Sequence, residues 1–169
     1  MSIKISTYHP QYQAQVIDLI LRIQQQEFGV SITLSDQPDL LNIPNFYQQG
    51  NGNFWVALDG DKVIGTIAAI DFDRKNLALR KMFVNSNYRG CGVGKKLLNS
   101  LVSWAGERKV KKICLGTIEK FTVAHKFYEK NGFVRVTKSE LPESFPIMLS
   151  DNIFYCLTVP ITSFPAKDY

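Results

Sequence analysis

The stretch Arg89-Gly90-Cys91-Gly92-Val93-Gly94-Lys95 carries the clearest chemistry in the sequence. Its alternating glycines leave the backbone unscreened, so successive N–H groups can converge on a bound anion. A helical apolar pattern follows at once, with no Ser, Thr, Asp or Asn at its start to cap the first N–H groups. Lys95 and Lys96 then put two cations in the first turn, against the helix dipole, unless negative charge binds nearby. A phosphate-bearing ligand fits this pattern; a glycine-rich turn without a ligand is the alternative that the residues alone leave open. A Walker A loop would need glycine at position 89 and Ser or Thr at 96, where Arg89 and Lys96 stand. The dinucleotide fingerprint fails as well, because its third glycine comes one residue early and no acidic residue lies near the ~20-residue offset. Cys91, Cys114 and Cys156 are odd in number, widely spaced and without a C-x-x-C pair, so reduced thiols and no metal site are expected.

The elements that must hold this loop are legible from periodicity. Residues 3–8 alternate as a strand and stop at His9-Pro10; Val16, Ile17, Leu19, Ile20 and Ile23 predict a helix over 12–26. Between Gly29 and Tyr47 a short second helix or a loop is expected. Two β-rich runs around Asp59-Gly60-Asp61 form the strongest hairpin signal, and a third strand over 77–84 continues the meander. The glycine loop then opens a helix with Leu97, Leu98, Leu101, Val102 and Ala105 on one face. A strand over 113–118, a helix over 121–130 stopped by Asn131-Gly132, a short strand over 133–136, a proline-containing loop over 141–146 and a last strand near 153–159 complete the order. An antiparallel meander followed by strand-helix-strand-helix-strand implies an α/β (α+β) fold: a mixed, mostly antiparallel central sheet with helices on both faces.

Composition narrows the classes. A chain of 169 residues, 45% apolar and 21% charged, can bury a core and reads as one domain over 1–169. The net charge of +5 is mild and suits a nucleotide or coenzyme ligand. Its one basic cluster, Arg108 to Lys112, has no interleaved aromatics and reads as a solvated helix end, so no nucleic-acid partner is expected. Residues 1–10 lack the order of a signal peptide and no apolar run approaches the ~18 residues of a membrane span; a cytoplasmic protein with no membrane partner, monomer or homodimer, is expected.

The run Lys81-Met82-Phe83-Val84, then Tyr88-Arg89-Gly90-Cys91-Gly92-Val93-Gly94-Lys95, resembles the coenzyme A motif [RQ]-x-x-G-x-[GA] of the GNAT superfamily of N-acetyltransferases, with Arg89, Gly92 and Gly94 at its defining positions. Ala124-His125-Lys126-Phe127-Tyr128-Glu129-Lys130-Asn131-Gly132-Phe133 resembles that superfamily's A-x-x-[FL]-Y-x-K-x-G-F helix. The resemblance implies acetyl-CoA as co-substrate. Its pyrophosphate would lie on Arg89, Gly90, Cys91, Gly92, Val93, Gly94 and Lys95, and its pantetheine arm along Met82, Phe83 and Val84. Many relatives carry Asn where this chain has Phe121, so no coenzyme role is carried over to that position.

Acetyl transfer to an amine needs an uncharged nucleophile, a stabilised oxyanion and a proton for the thiolate leaving group. The resemblance makes Tyr128 the general acid, against the plain alternative that it packs its helix on the sheet. A backbone N–H near Val84 would meet the oxyanion. Glu27 and Asp71 are candidate bases on the acceptor side, with surface carboxylates or a water chain as alternatives; His125 is a further titratable group one turn before Tyr128. The resemblance places the acceptor between the early helices and the loop before the last strand, which makes Phe28, Tyr47 and the 141–148 segment with Phe145 and Met148 candidate walls for a small-molecule or peptide amine. The alternative class is a non-catalytic module that binds acyl-CoA as a sensor or for a partner.

Overall fold

The computed structural model describes residues 2–160. Among these, seven strands form one sheet in the order β1-β2-β3-β4-β5-β7-β6. β1 (Ile3–Thr7), β2 (Asn53–Asp59), β3 (Lys62–Asp71) and β4 (Asn76–Val84) make the antiparallel meander. β5 (Lys112–Thr117) joins β4 in parallel, and β7 (Ile153–Thr158) lies antiparallel between β5 and β6 (Val134–Val136). This is the mixed, mostly antiparallel sheet that the sequence predicts.

Alternation along the inner strands builds two cores. On β2, Trp55 and Ala57 face the layer of α3 (Val93–Glu107) and α4 (Thr122–Lys130), where Leu97, Leu98, Leu101 and Tyr128 pack. Phe54, Val56 and Leu58 face the other way, onto α1 (Gln13–Arg22), Leu40 and α2 (Ile43–Phe46). A satellite cluster of Ala78, Cys114, Leu141, Phe145, Phe154 and Cys156 continues this second face under the 141–148 loop.

The pairing register sets Cys114 directly opposite Cys156 across β5 and β7, 4.1 Å apart at Cα, and a disulfide joins them; Cys91 is the free thiol. The sequence pointed to reduced thiols because 42 residues separate the two, and spacing carries no sign of a register partner. The first helix does not simply end near residue 26. Its last turn, Ile23–Glu27, is π-helical, closed by the Phe28 N–H donating to the Ile23 carbonyl at 3.0 Å. The segment beyond is mostly short 3-10 turns, Leu34–Asp36 and Pro38–Leu41, before α2. Among the described residues no helix is long and apolar enough to cross a membrane.

Candidate active site

The sheet opens at its centre. β4 and β5 pair only from Asn76↔Lys112 to Ala78↔Cys114, so from Leu79 onward β4 presents on that side a backbone edge without a strand partner among the described residues. The glycine loop lies just beyond that edge. Gly90 and Gly92 have φ of +77° and +80°, a left-handed backbone that disfavours any side chain, and the space a Cβ would occupy at each is empty. The first backbone bond of α3 runs from the Lys96 N–H to the Gly92 carbonyl; among the described residues none is made by the N–H groups of residues 90–95. Gly92 caps α3 without a side-chain bond. Unshielded N–H donors at a helix start with open space above them fit an anionic ligand such as a pyrophosphate. Gly94 sits between Met82 and Phe127, which a Cβ would meet at 3.5 Å, so loop, β4 and α4 converge there.

Tyr128 stands on α4 behind this opening. It is 8% exposed and is packed by Phe127, Phe133 and Tyr155. Burial pushes its phenol up to about 12, so the proton stays on at any ordinary pH. Its hydroxyl makes no hydrogen bond among the described residues, whereas those of Tyr47, Tyr88 and Tyr155 donate to Asp39, Asp59 and Glu129. Because no sealed side-chain polar atom among the described residues is left unbonded, that free hydroxyl reaches accessible space.

The other sequence candidates fall in distinct places. Arg89 does not point its guanidinium freely at the loop. It makes a two-pronged pair with Glu27, one contact at 2.9 Å, and donates from Nε to the Val84 carbonyl at 3.1 Å. The π-turn that brings Glu27 to Arg89 also carries Phe28, 42% exposed, onto Phe121 at the N-cap of α4, with ring centroids 5.2 Å apart. Glu27 is therefore a partner of the loop. Asp71 pairs with Leu77 at the far end of β4, seven residues from Val84 or roughly 23 Å at strand rise, and its two oxygens accept from the Asn51 and Arg74 N–H groups. His125 contacts the Ile118 carbonyl through Nε2 at 2.9 Å. Tyr47 is 1% exposed, a core residue whose hydroxyl donates to Asp39; Phe145 is buried on Phe72 and Phe154, while Met148 is 48% exposed. Cys91 and Lys95 are exposed on the loop, and Val93 is buried under it.

A cluster on the α1/α2 face was missed. β4 carries a bulge: Arg80 lies opposite Ala68 and Phe83 opposite Thr66, so Lys81 and Met82 share the single partner Ile67. Lys81 has φ +51°, and the Thr66 hydroxyl donates to its carbonyl at 2.7 Å. The Lys81 ammonium reaches Gln37 and, at 3.5 Å, Asp39, whose same oxygen accepts from the Tyr47 hydroxyl at 2.6 Å. Burial holds the Lys81 pKa down, with Asp39 opposing; burial first, and the Asp39 charge second, raise that of Tyr47. Arg80 donates to the Pro146 carbonyl at 2.6 Å. Asp151 accepts from the Met148 N–H and lies against Gly116 on β5, and burial pushes its carboxyl up. Beside it opens a pocket of about 400 Å³, with Arg135, Thr137 and Ile147 in its wall. The signal for this cluster was present: two consecutive charges in an otherwise apolar inner strand break the period of two, and a bulge is what accommodates them.

A mixed sheet that splits between β4 and β5, with unshielded loop N–H groups at the split, is the architecture of an acetyltransferase fold. The family model for the acetyltransferase (GNAT) family matches residues 17–133, and the chain belongs to that family. A GNAT-family acetyltransferase from Staphylococcus aureus Mu50 superposes with a TM-score of 0.89 at 41% identity, over 94% of this chain and 100% of that one. The PaiA N-acetyltransferase of Thermoplasma acidophilum, solved in complex with coenzyme A, shares the fold at a TM-score of 0.71 and 17% identity, over 94% of this chain and 99% of that one. N-acetylaspartate synthetase of Xenopus tropicalis is 35% identical over 123 residues, 70% of this chain and 45% of that protein. The chain thus spans under half the length of that relative.

Proposed function

We propose that the protein transfers an acetyl group from acetyl-CoA to an amine. The observation that carries this reading is the set of unbonded N–H groups over residues 90–95, placed where β4 loses β5 as its partner. Acetyl-CoA, when bound, supplies the acetyl group as a thioester. The loop holds its pyrophosphate and the open edge of Met82, Phe83 and Val84 pairs with its amide-bearing arm as an added strand would. An N–H on the same edge polarises the acetyl carbonyl. Tyr128 keeps its proton and offers it to the departing sulfur. Asp151 is the better proton acceptor on the acceptor face, since Glu27 is paired with Arg89 and Asp71 is bonded to two backbone turns. Arg89 braces the loop against Glu27 and Val84, leaving the phosphates to the backbone and Lys95.

CoA release from acetyl-CoA with a panel of amines, run beside calorimetric titration of acetyl-CoA, tests the reading. Transfer is expected, with Tyr128→Phe lowering kcat by about 10²–10³ and leaving acetyl-CoA affinity unchanged. Binding without turnover on any amine points instead to an acyl-CoA-binding module, and absence of binding defeats both.

A further inference from the structure

Resting on the proposed acetyl transfer, we propose that Arg80 is an anion subsite, so that the accepted amines are those that carry a carboxylate. Leu77 and Leu79 face the α3/α4 core and Ala78 the opposite face, so alternation turns Arg80 to the acceptor side. The bulge then turns Lys81 to the same side, where it meets Gln37 and Asp39. Two neighbouring cations therefore share one face, and they are treated differently. Lys81 has its countercharge in Asp39. Arg80 does not: it is half-buried, it donates to the Pro146 carbonyl, and among the described residues it pairs with no carboxylate.

Among the described residues, neither nearby carboxylate is its ion-pair partner. Asp39 serves Lys81 and Tyr47. Asp151 feels the Arg80 charge but is held by the Met148 N–H against Gly116, beyond ion-pair distance. A guanidinium has five N–H donors in a planar fork suited to two-point capture of a carboxylate, and a partly buried one without a countercharge is costly. The single carbonyl bond fixes the fork and leaves the rest of it open. Position agrees with the chemistry. Arg80 precedes Met82–Val84 by two to four residues, roughly 7–13 Å along the strand, within reach of a long side chain for a group attached to an amine at the open edge.

The test uses acetyl-CoA and matched acceptors: glycine, alanine, phenylalanine, β-alanine, 4-aminobutanoate and aspartate, each against the compound in which every carboxylate is an uncharged carboxamide. For the best acid, kcat/KM should exceed that of its amide by about tenfold or more. Arg80→Gln should raise KM for the acid by a similar factor, leave the amide within about twofold and leave acetyl-CoA affinity unchanged, with Arg80→Lys recovering part of the loss. Equal kcat/KM for acids and amides, or an equal fall for both in Arg80→Gln, overturns the proposal while leaving acetyl transfer standing. A second measurement needs neither turnover nor a folded variant: calorimetry of the N-acetylated acids against their amides on the wild-type protein with CoA present. Tighter binding of the acids by about tenfold supports the subsite even if no transfer is seen; equal binding, or none, overturns it.

Discussion

The Thr66 hydroxyl donates to the Lys81 carbonyl across the bulge of β4. Thr66 is fully buried, and Lys81 holds a left-handed backbone that costs a non-glycine residue ~1–3 kcal/mol. The bond therefore pins the bulge that turns Lys81 to the same face as Arg80 and leads into Met82–Val84.

Thr66→Val keeps the shape and removes the donor, stranding a carbonyl in the sheet. Stability should fall by about 1–3 kcal/mol in urea denaturation. Because the bulge is what turns Lys81 to the acceptor face, KM for the acceptor should rise more than KM for acetyl-CoA. A stability loss with both constants unchanged would separate the bulge from the site.

The Lys81–Asp39 pair gives a second test. Each side chain is only slightly exposed, 13% and 12%, and Lys81 is held below its usual pKa mainly by burial. Asp39→Ala leaves that ammonium buried without its countercharge and Tyr47 without its acceptor, and should cost roughly 2–4 kcal/mol. The double variant Lys81→Met with Asp39→Leu should recover most of the loss. A double-mutant cycle measures the coupling, and additivity of the single losses would show that the pair does not act as a unit.

Much of this arrangement was legible before the structure, and the reason is local. The meander, both long helices and the glycine loop follow from periods of two and 3.6 and from turn residues, which are encoded by neighbours in sequence. What escaped depends on register. Nothing near Cys114 announces Cys156, nothing near Lys81 announces Gln37 or Asp39, and Arg89 looked like a free phosphate ligand until the π-turn after α1 brought Glu27 to it. Asp71, read as a candidate base, is drawn instead into the turns around Asn51 and Arg74. Phe121 was the visible departure from the family pattern; its stacking on Phe28 supplies the packing partner that explains an aromatic there.

The disulfide predicts a thiol count of one, Cys91, on unreduced protein and three after denaturation with reductant. Closing a loop of 42 residues should contribute roughly 2–4 kcal/mol, read as a lower urea midpoint in dithiothreitol. Cys114→Ala with Cys156→Ala should match the reduced wild type and be insensitive to reductant. Three reactive thiols on unreduced, unfolded protein would remove the bond from the account.

The loop glycines should respond unequally to alanine. Gly92 has φ +80° and open space above it, so Gly92→Ala should cost about 1 kcal/mol in backbone strain and put a methyl group where the pyrophosphate is proposed to sit. Acetyl-CoA affinity should fall by roughly tenfold in calorimetry. At Gly94 the new Cβ meets Met82 and Phe127 at ordinary contact distance, so Gly94→Ala should retain stability and lose less affinity. The reverse order would place the coenzyme elsewhere.

Tyr128 supplies a pH test with a fixed sign. Burial raises its folded pKa from 10.0 to about 12, so below pH 10 both folded and unfolded states keep the proton and the contribution is fully present. As pH rises from 10 through 12 the unfolded chain loses the proton first, and roughly 2–3 kcal/mol of stability should disappear. Tyr128→Phe cannot titrate there, and Tyr47 and Lys81 are common to both proteins, so the difference between wild type and variant isolates the one group. Urea midpoints taken from pH 9 to 11.5 should converge or cross as the wild type loses stability faster. The same raised pKa means that Tyr128 stays protonated across the assay range. The kcat of the wild type should then show no alkaline fall below pH 10, while the phenylalanine variant stays low at every pH. A parallel stability slope in the two proteins would mean that the hydroxyl is better solvated than its packing implies, and would weaken its assignment as the proton donor.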